Sequence, residues 1–253
     1  IYTLSLHDAL PICQVHAQVH DEEGITVEVI GPQMVEYARK AKVPVCVHVD
    51  HGADFTFVLR CIRAGFTSVM YDLSALPYEE NLSQVKEFTE FAHRMDVTVE
   101  AELGVMTLAT GEGWTHETIK ATFTDPAQAA DFARRSDVDA LAVCFGTAHG
   151  VYAEPPILDI QRVRDIRASM PDSCRVVMHG GSGVDEEQTK AAISAGVSKL
   201  NYYSYLGMAA TESMERILAG QGKSRQWHEN QEAQVDFIKE YTKHVLTVFK
   251  NES

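Results

Sequence analysis

Basic residues are scarce in this chain: 22 Lys and Arg stand against 36 Asp and Glu, a formal net charge of −14. That balance excludes nucleic acid and anionic membrane surfaces as partners, since both select for excess positive charge. Any phosphorylated ligand must therefore be captured by local donors, because the global field repels it. Long apolar runs are missing as well; none approaches the roughly 18 residues of a membrane span. The five cysteines (Cys13, Cys46, Cys61, Cys144 and Cys174) are odd in number and show no paired spacing. They fit reduced, buried packing residues of a cytoplasmic protein, not a disulfide framework. With 45% hydrophobic and 23% charged residues over 253 positions, the chain can build one sizeable core.

What is present is concentrated at the ends of three apolar runs. Val45, Val47 and Val49 alternate with Cys46, His48 and Asp50, the period-2 signature of a strand, and the run breaks into Asp50-His51-Gly52. The run 140–145 leads into Ala148-His149-Gly150, and 175–178 leads into His179-Gly180-Gly181-Ser182-Gly183. Each strand delivers a histidine followed by a glycine at its carboxyl end, where α/β proteins bind ligands. Glycine there lets backbone approach a ligand closely. A catalytic zinc takes three protein ligands and keeps one position open, a count that His51, His149 and His179 match. Asp50 lies immediately before one of these ligands, where a carboxylate can exchange a proton with a bound substrate. Gly180-Gly181-Ser182-Gly183 offers several backbone N–H groups without side-chain obstruction, a ready anion nest.

The pattern predicts a helix over 32–42, a strand over 44–50, a helix over 55–64 capped by Gly65, and a strand over 67–72. A helix over 79–95, a strand over 97–102 and a long aperiodic loop over 107–122 follow; loops of that length are often lids. Asp125-Pro126 reads as an N-cap with proline at N1, opening a helix to 135. Strands over 139–145, 174–179 and 198–203 alternate with helices over 159–169 and 185–195. Two amphipathic helices split by Gly220-Gln221-Gly222 complete the tail. Six strands with intervening helices make a parallel α/β barrel. Residues 1–12 resemble the conceptual translation of a sequencing adapter and are set apart as non-native. Residues 13–30 are ambiguous: 25–30 alternates like a short strand, yet also suits a loop and helix start. Residues 31–253 form the barrel domain with its C-terminal helices.

The motifs HVDHG, SVMYDLS, VEAELG, ALAVCFGTAHGVY and VMHGGSG, spread from about residue 31 to 201, resemble the class II (metal-dependent) ketose-bisphosphate aldolases, the tagatose- and fructose-bisphosphate group above all. The resemblance implies a TIM-type (β/α)8 barrel. Only six strand signals are present, so it also implies truncation at the amino end, with the first two strands missing or eroded and two sheet edges left open. It implies zinc on His51, His149 and His179 and a general acid/base at Asp50. It implies a second proton acceptor on the loop, for which Glu112 is the candidate with Glu117 behind it. Asp72 and Glu102 match residues that line the metal site or hold a second cation, or else orient the histidines. Asn201 and Ser204 would join Gly150, Gly180, Gly181 and Ser182 in holding phosphate, although the paired tyrosines between them depart from the common pattern. Gly150 and Gly180 would lend carbonyls to a monovalent cation, Na+ or K+. The implied activity is reversible cleavage of a phosphorylated ketose to dihydroxyacetone phosphate and an aldehyde, within a homo-oligomer (dimer or tetramer). A metal-dependent barrel hydrolase and an inactive truncated fragment are the competing expectations.

Overall fold

The computed structural model describes residues 2–5, 10–16, 26–104, 115–220 and 226–251. A short strand, β1 (Tyr2–Ser5), is followed by β2 (Leu10–His16), β3 (Cys46–Gly52), β4 (Ser68–Tyr71), β5 (Thr98–Leu103), β6 (Ala140–Val143), β7 (Arg175–Met178) and β8 (Val197–Tyr202). β2 to β8 run parallel in chain order, and β1 lies antiparallel to both β2 and β8, closing the barrel. The helices are α1 (Val27–Lys40), α2 (Phe55–Arg63), α3 (Tyr78–His93), α4 (His116–Lys120), α5 (Pro126–Ser136), α6 (Ile160–Ser169), α7 (Glu186–Ala195), α8 (Ser204–Ala219) and α9 (Trp227–Lys250).

Strand alternation separates two environments. Val47, Val49, Val69, Val99, Ala101, Leu141, Val143 and Val176 join one apolar cluster with Phe57, Val58, Leu82, Val85, Phe132 and Ile166 of the helices. Other strand positions carry buried polar groups: Gln14 on β2, His48 and Asp50 on β3, Glu100 and Glu102 on β5, and Lys199 and Asn201 on β8. Hydrophobic burial against the helices thus holds the shell, and the barrel interior is left free for chemistry. Four helices are entered through an aspartate whose carboxylate accepts a backbone N–H: Asp54 from Phe57, Asp125 from Gln128, Asp159 from Arg162 and Asp185 from Gln188. Each such cap contributes about 1 kcal/mol and fixes where its helix begins.

The six strands expected from the sequence are all present, and two further strand positions are filled. Residues set aside as adapter-like or ambiguous supply them, so the open six-stranded sheet is corrected to a closed one. β2 escapes a pattern reading for a physical reason. Pro11 lacks the N–H that a ladder uses, and it sits one residue before the parallel register with β3 begins at Ile12↔Cys46. Gln14 then interrupts the apolar run on the inner face. The alternation over 25–30 is also overridden, because Val27–Ile30 forms the first turn of α1 and Pro32 lies inside that helix. Proline there leaves one carbonyl of the preceding turn without its helical donor. Gly31 compensates by close packing: a Cβ at that position would stand 3.0 Å from Ala64 Cβ and 3.1 Å from the Phe66 ring. The expected loop over 107–122 lies partly outside the described residues; within them, α4 opens with a capping box in which Thr115 and Thr118 serve each other. All five cysteines are free thiols.

Candidate active site

β3 places two consecutive residues at the site, which a regular strand would not do. Its register with β4 shifts between Val49 and Gly52, and His51 takes a left-handed backbone with φ of 51°. The bulge turns the His51 side chain to the same end of the barrel as Asp50. A non-glycine residue in that region costs about 1–3 kcal/mol, strain that the surrounding strands have to hold.

Two carboxylates fix the imidazoles. His51 Nδ1 lies 2.7 Å from Asp72 Oδ2, and Asp72 Oδ1 in turn accepts the backbone N–H of Ser74. His179 Nε2 lies 2.8 Å from Glu100 Oε1. Each carboxylate takes an N–H and leaves the other ring nitrogen facing inward. Those two inward nitrogens, His51 Nε2 and His179 Nδ1, stand 3.1 Å apart. Two imidazole lone pairs at that separation repel unless a cation or a proton lies between them. The ring of His149 completes the group, with centroids 4.8 Å from His51 and 5.6 Å from His179. One donor atom from each of the three histidines lies within 4.8 Å of the others, so this donor set fits a tetrahedral metal with one open position.

The electrostatics agree. Burial alone would depress His51, but its hydrogen bond to Asp72 and the nearby Asp50 and Glu102 outweigh burial and carry its pKa up to about 9. Burial and the neighbouring His51 push His179 well below the usual histidine range. The two inward nitrogens are thus driven in opposite directions, His51 toward its charged form and His179 toward its neutral form. Burial also works against the charged form of Asp50, yet His51, His179 and Lys199 together hold its carboxyl below the ordinary range. Asp50 is buried, with Oδ2 accepting from Gln14 Nε2 at 2.8 Å and Oδ1 from Asn201 Nδ2 at 3.1 Å. Asp50 Oδ1 lies 3.9 Å from His51 Nε2. An ionised, rigidly held carboxylate beside the inward nitrogens can take a proton from a bound hydroxyl.

The predicted site residues divide into those brought together and those placed apart. His51, His149, His179, Asp50, Asp72 and Glu102 meet at the carboxyl ends of the strands, with Glu102 Oε2 3.8 Å from His179 Nδ1. A second grouping of donors, His51, Asp72 and Glu102, is equally compact, but Asp72 is already engaged by the His51 ring and Ser74. His48 stands deeper, bonded through Nδ1 to Ser68 Oγ, and burial lowers its pKa to about 3, the profile of a neutral core histidine. Glu112 lies outside the described residues; Glu117 is exposed on α4. In the glycine-rich loop, Gly181 N–H is spent on Asn201 carbonyl oxygen, and Ser182 Oγ accepts the backbone N–H of Tyr203. The loop after β7 is thereby tied to the loop after β8, the pair that forms the usual phosphate site of such barrels. A Cβ on Gly181 would meet the Asn201 carbonyl oxygen at 2.9 Å, so no larger residue fits this junction. Ser204 opens α8 directly beside it, and Gly150 (φ 103°) follows His149.

Four contributors are not singled out as site residues by the sequence: Gln14 and Lys199 lie outside the quoted motifs, whereas Glu100 and Tyr152 lie within VEAELG and ALAVCFGTAHGVY. Glu100 and Lys199 do carry a signal, being charged and two residues from Glu102 and Asn201 on the same strand faces. The Tyr152 hydroxyl accepts from Ala148 N–H and lies 2.8 Å from both the Ala148 and Gly180 carbonyl oxygens. It ties the backbone before His149 to the backbone after His179. Tyr152→Phe is expected to lower stability by about 1–3 kcal/mol, the cost of leaving buried polar groups unpaired. Urea denaturation would measure it, and a change within about 0.5 kcal/mol, the scatter of neutral surface substitutions, would show that this tie carries no load.

A family model described as fructose-bisphosphate aldolase class-II matches residues 9–253. The fold superposes on the crystal structure of the YdjI aldolase from Escherichia coli K12 with a TM-score of 0.81 and 30% identity, covering 96% of this chain and 82% of that one. A fructose-1,6-biphosphate aldolase described as putative, from Coccidioides immitis, gives 0.79 and 22% identity over 95% of this chain and 82% of that one. The fructose-bisphosphate aldolase of Campylobacter jejuni gives 0.73 and 22% over the same shares. At that identity the latter two speak for the fold alone.

Proposed function

As a member of the class II fructose-bisphosphate aldolase family, the chain is an aldolase, and we propose that it uses zinc to cleave a phosphorylated ketose, such as tagatose or fructose 1,6-bisphosphate, reversibly to dihydroxyacetone phosphate and an aldehyde. The observation that carries this reading is the 3.1 Å approach of His51 Nε2 and His179 Nδ1, each backed by a carboxylate, beside an ionised Asp50. His51, His149 and His179 would hold the metal, which supplies a Lewis acid for the ketose carbonyl and for the negative charge that develops on its oxygen. Asp50 accepts the proton of the hydroxyl on the carbon whose bond to its neighbour breaks, and returns it in synthesis. Gln14 and Asn201 keep both carboxylate oxygens aimed while this happens. Glu112, with Glu117 as the substitute, is assigned the proton at the donor carbon beside the carbonyl. Gly150, Gly180, Gly181, Ser182, Asn201 and Ser204 are assigned to the phosphate; of these the Gly181 N–H and the Asn201 amide already hold partners within the site, so Ser182, Ser204 and the remaining loop backbone are the groups that face it in this reading. Gly150 and Gly180 carbonyls are assigned to a monovalent cation, and Asp72 and Glu102 to holding the histidines or a second cation.

The test is a product panel. The zinc-loaded protein would be mixed with dihydroxyacetone phosphate and aldehydes of differing length and charge, and new carbon–carbon bonds followed by NMR. Ketose bisphosphate formation is expected, with one acceptor preferred. Release of inorganic phosphate from the ketose with no carbon–carbon chemistry would instead identify a metal-dependent hydrolase and end the aldolase assignment.

A further inference from the structure

Lys199 was not singled out by any motif, yet its side chain lies buried inside the barrel. Its Nζ stands 2.8 Å from Glu100 Oε2 and donates to Asn201 Oδ1 at 2.7 Å. The two partners lead to different halves of the site. Glu100 reaches His179 through its other oxygen, and Asn201 reaches Asp50 through its amide nitrogen.

Each link has a chemical direction. An ammonium has donors only, so it can face only the oxygen of the Asn201 amide. That choice leaves Nδ2 toward Asp50, where a hydrogen bond to the carboxylate is made; the flipped amide would set an oxygen against Asp50. On the other arm, Glu100 must present a lone pair to His179 Nε2–H. It does so with one oxygen while the lysine holds the second. The His179 tautomer that results keeps Nδ1 inward, toward His51 Nε2. Oriented in this way, carboxylate partners of metal-binding histidines tune affinity for the ion.

We infer that Lys199 is a positioning residue that couples the two halves of the centre, fixing the His179 ring through Glu100 and the Asp50 carboxylate through Asn201. The inference rests on the aldolase reading for the role of Asp50. Its metal arm can be read without substrate.

The experiment compares wild type with Lys199→Met, which keeps length and removes every donor, and Lys199→Arg, which keeps charge and donors. Zinc affinity is measured against a chelating dye, the His179 ring by 15N NMR, thermal stability by circular dichroism, and cleavage as kcat and KM separately. Lys199→Met is expected to weaken zinc by roughly 10–100-fold, the usual loss when a supporting partner of a ligand is removed, and to shift the His179 signals. At saturating zinc its kcat should still fall with KM little changed, because Asp50 is misaimed. Lys199→Arg should recover part of both losses. Zinc affinity, His179 signals and kcat all at wild-type levels in either folded variant, whatever the change in melting temperature, would reduce Lys199 to a packing residue and overturn the inference. If Lys199→Met does not fold, Lys199→Arg decides it, since the altered donor geometry must still move the His179 signals or kcat. If wild type cleaves no ketose, the function is wrong, while the zinc and NMR arms still judge the coupling.

Discussion

Exhaustive chelation is expected to abolish carbon–carbon cleavage, and added zinc to restore it. The inward nitrogens of His51 and His179 stand 3.1 Å apart, where the proposed ion would supply the Lewis acid that polarises the ketone. The same geometry predicts how zinc binding depends on pH. His51 holds its proton up to about pH 9, above the ordinary histidine value, so at neutral pH zinc must displace one proton. Affinity should therefore fall as pH falls, by roughly tenfold per unit below about pH 9, with one proton released per ion. Zinc titrations at several pH values, with proton release followed in weak buffer, would measure this. Borohydride added with substrate should trap no adduct. Full activity after chelation, or a covalent adduct on Lys199, would remove the zinc assignment.

Asp50→Ala should lose roughly 10²–10⁴-fold in cleavage, the usual size of a general acid/base contribution. Asp50→Asn is the sharper companion, because its amide keeps the volume that Gln14 and Asn201 surround while losing the base. In both variants, exchange of the donor's carbon-bound proton with solvent should persist, since the loop glutamate is assigned that step. Zinc content should also be retained, because Asp50 is not among the three ligands. The division of labour fails if cleavage and exchange drop together in a zinc-replete variant.

The reading of the sequence reached the histidines and Asp50 because they sit where apolar patterning stops, an abrupt change that a strand end imposes. It found six strands by their outward valines and leucines, which pack on helices and so must be apolar. The inward face gave less. Glu100, Lys199 and Gln14 are polar residues within buried strands, and they meet distant partners across the barrel: Gln14 meets Asp50 36 residues on, and Glu100 meets His179 79 residues on. No local pattern encodes such pairing. β2 is not read from the sequence because residues 1–12 are set apart as adapter-like and 13–30 are left ambiguous; the structure identifies it by its register with β3. Tyr152 was missed because a hydroxyl that ties two backbone segments has no preferred spacing. Glu112 falls in a long aperiodic stretch of the sequence that offers no pattern to anchor it.

The bulge at His51 has a consequence for how the centre fluctuates. Asp50 and His51 are joined by one peptide bond and their side chains are pinned by Gln14, Asn201 and Asp72, whereas His149 and His179 follow β6 and β7. When the barrel breathes, strands slide and spread against one another, and distances that cross the barrel change most. The proton acceptor and its neighbouring ligand then ride as one body. A thermal excursion would loosen the ion's hold on His149 or His179 before it parted the acid/base group from His51. For the zinc-loaded protein proposed above, warming should consequently cost metal first, with the Asp50–His51 geometry still standing when zinc is added back.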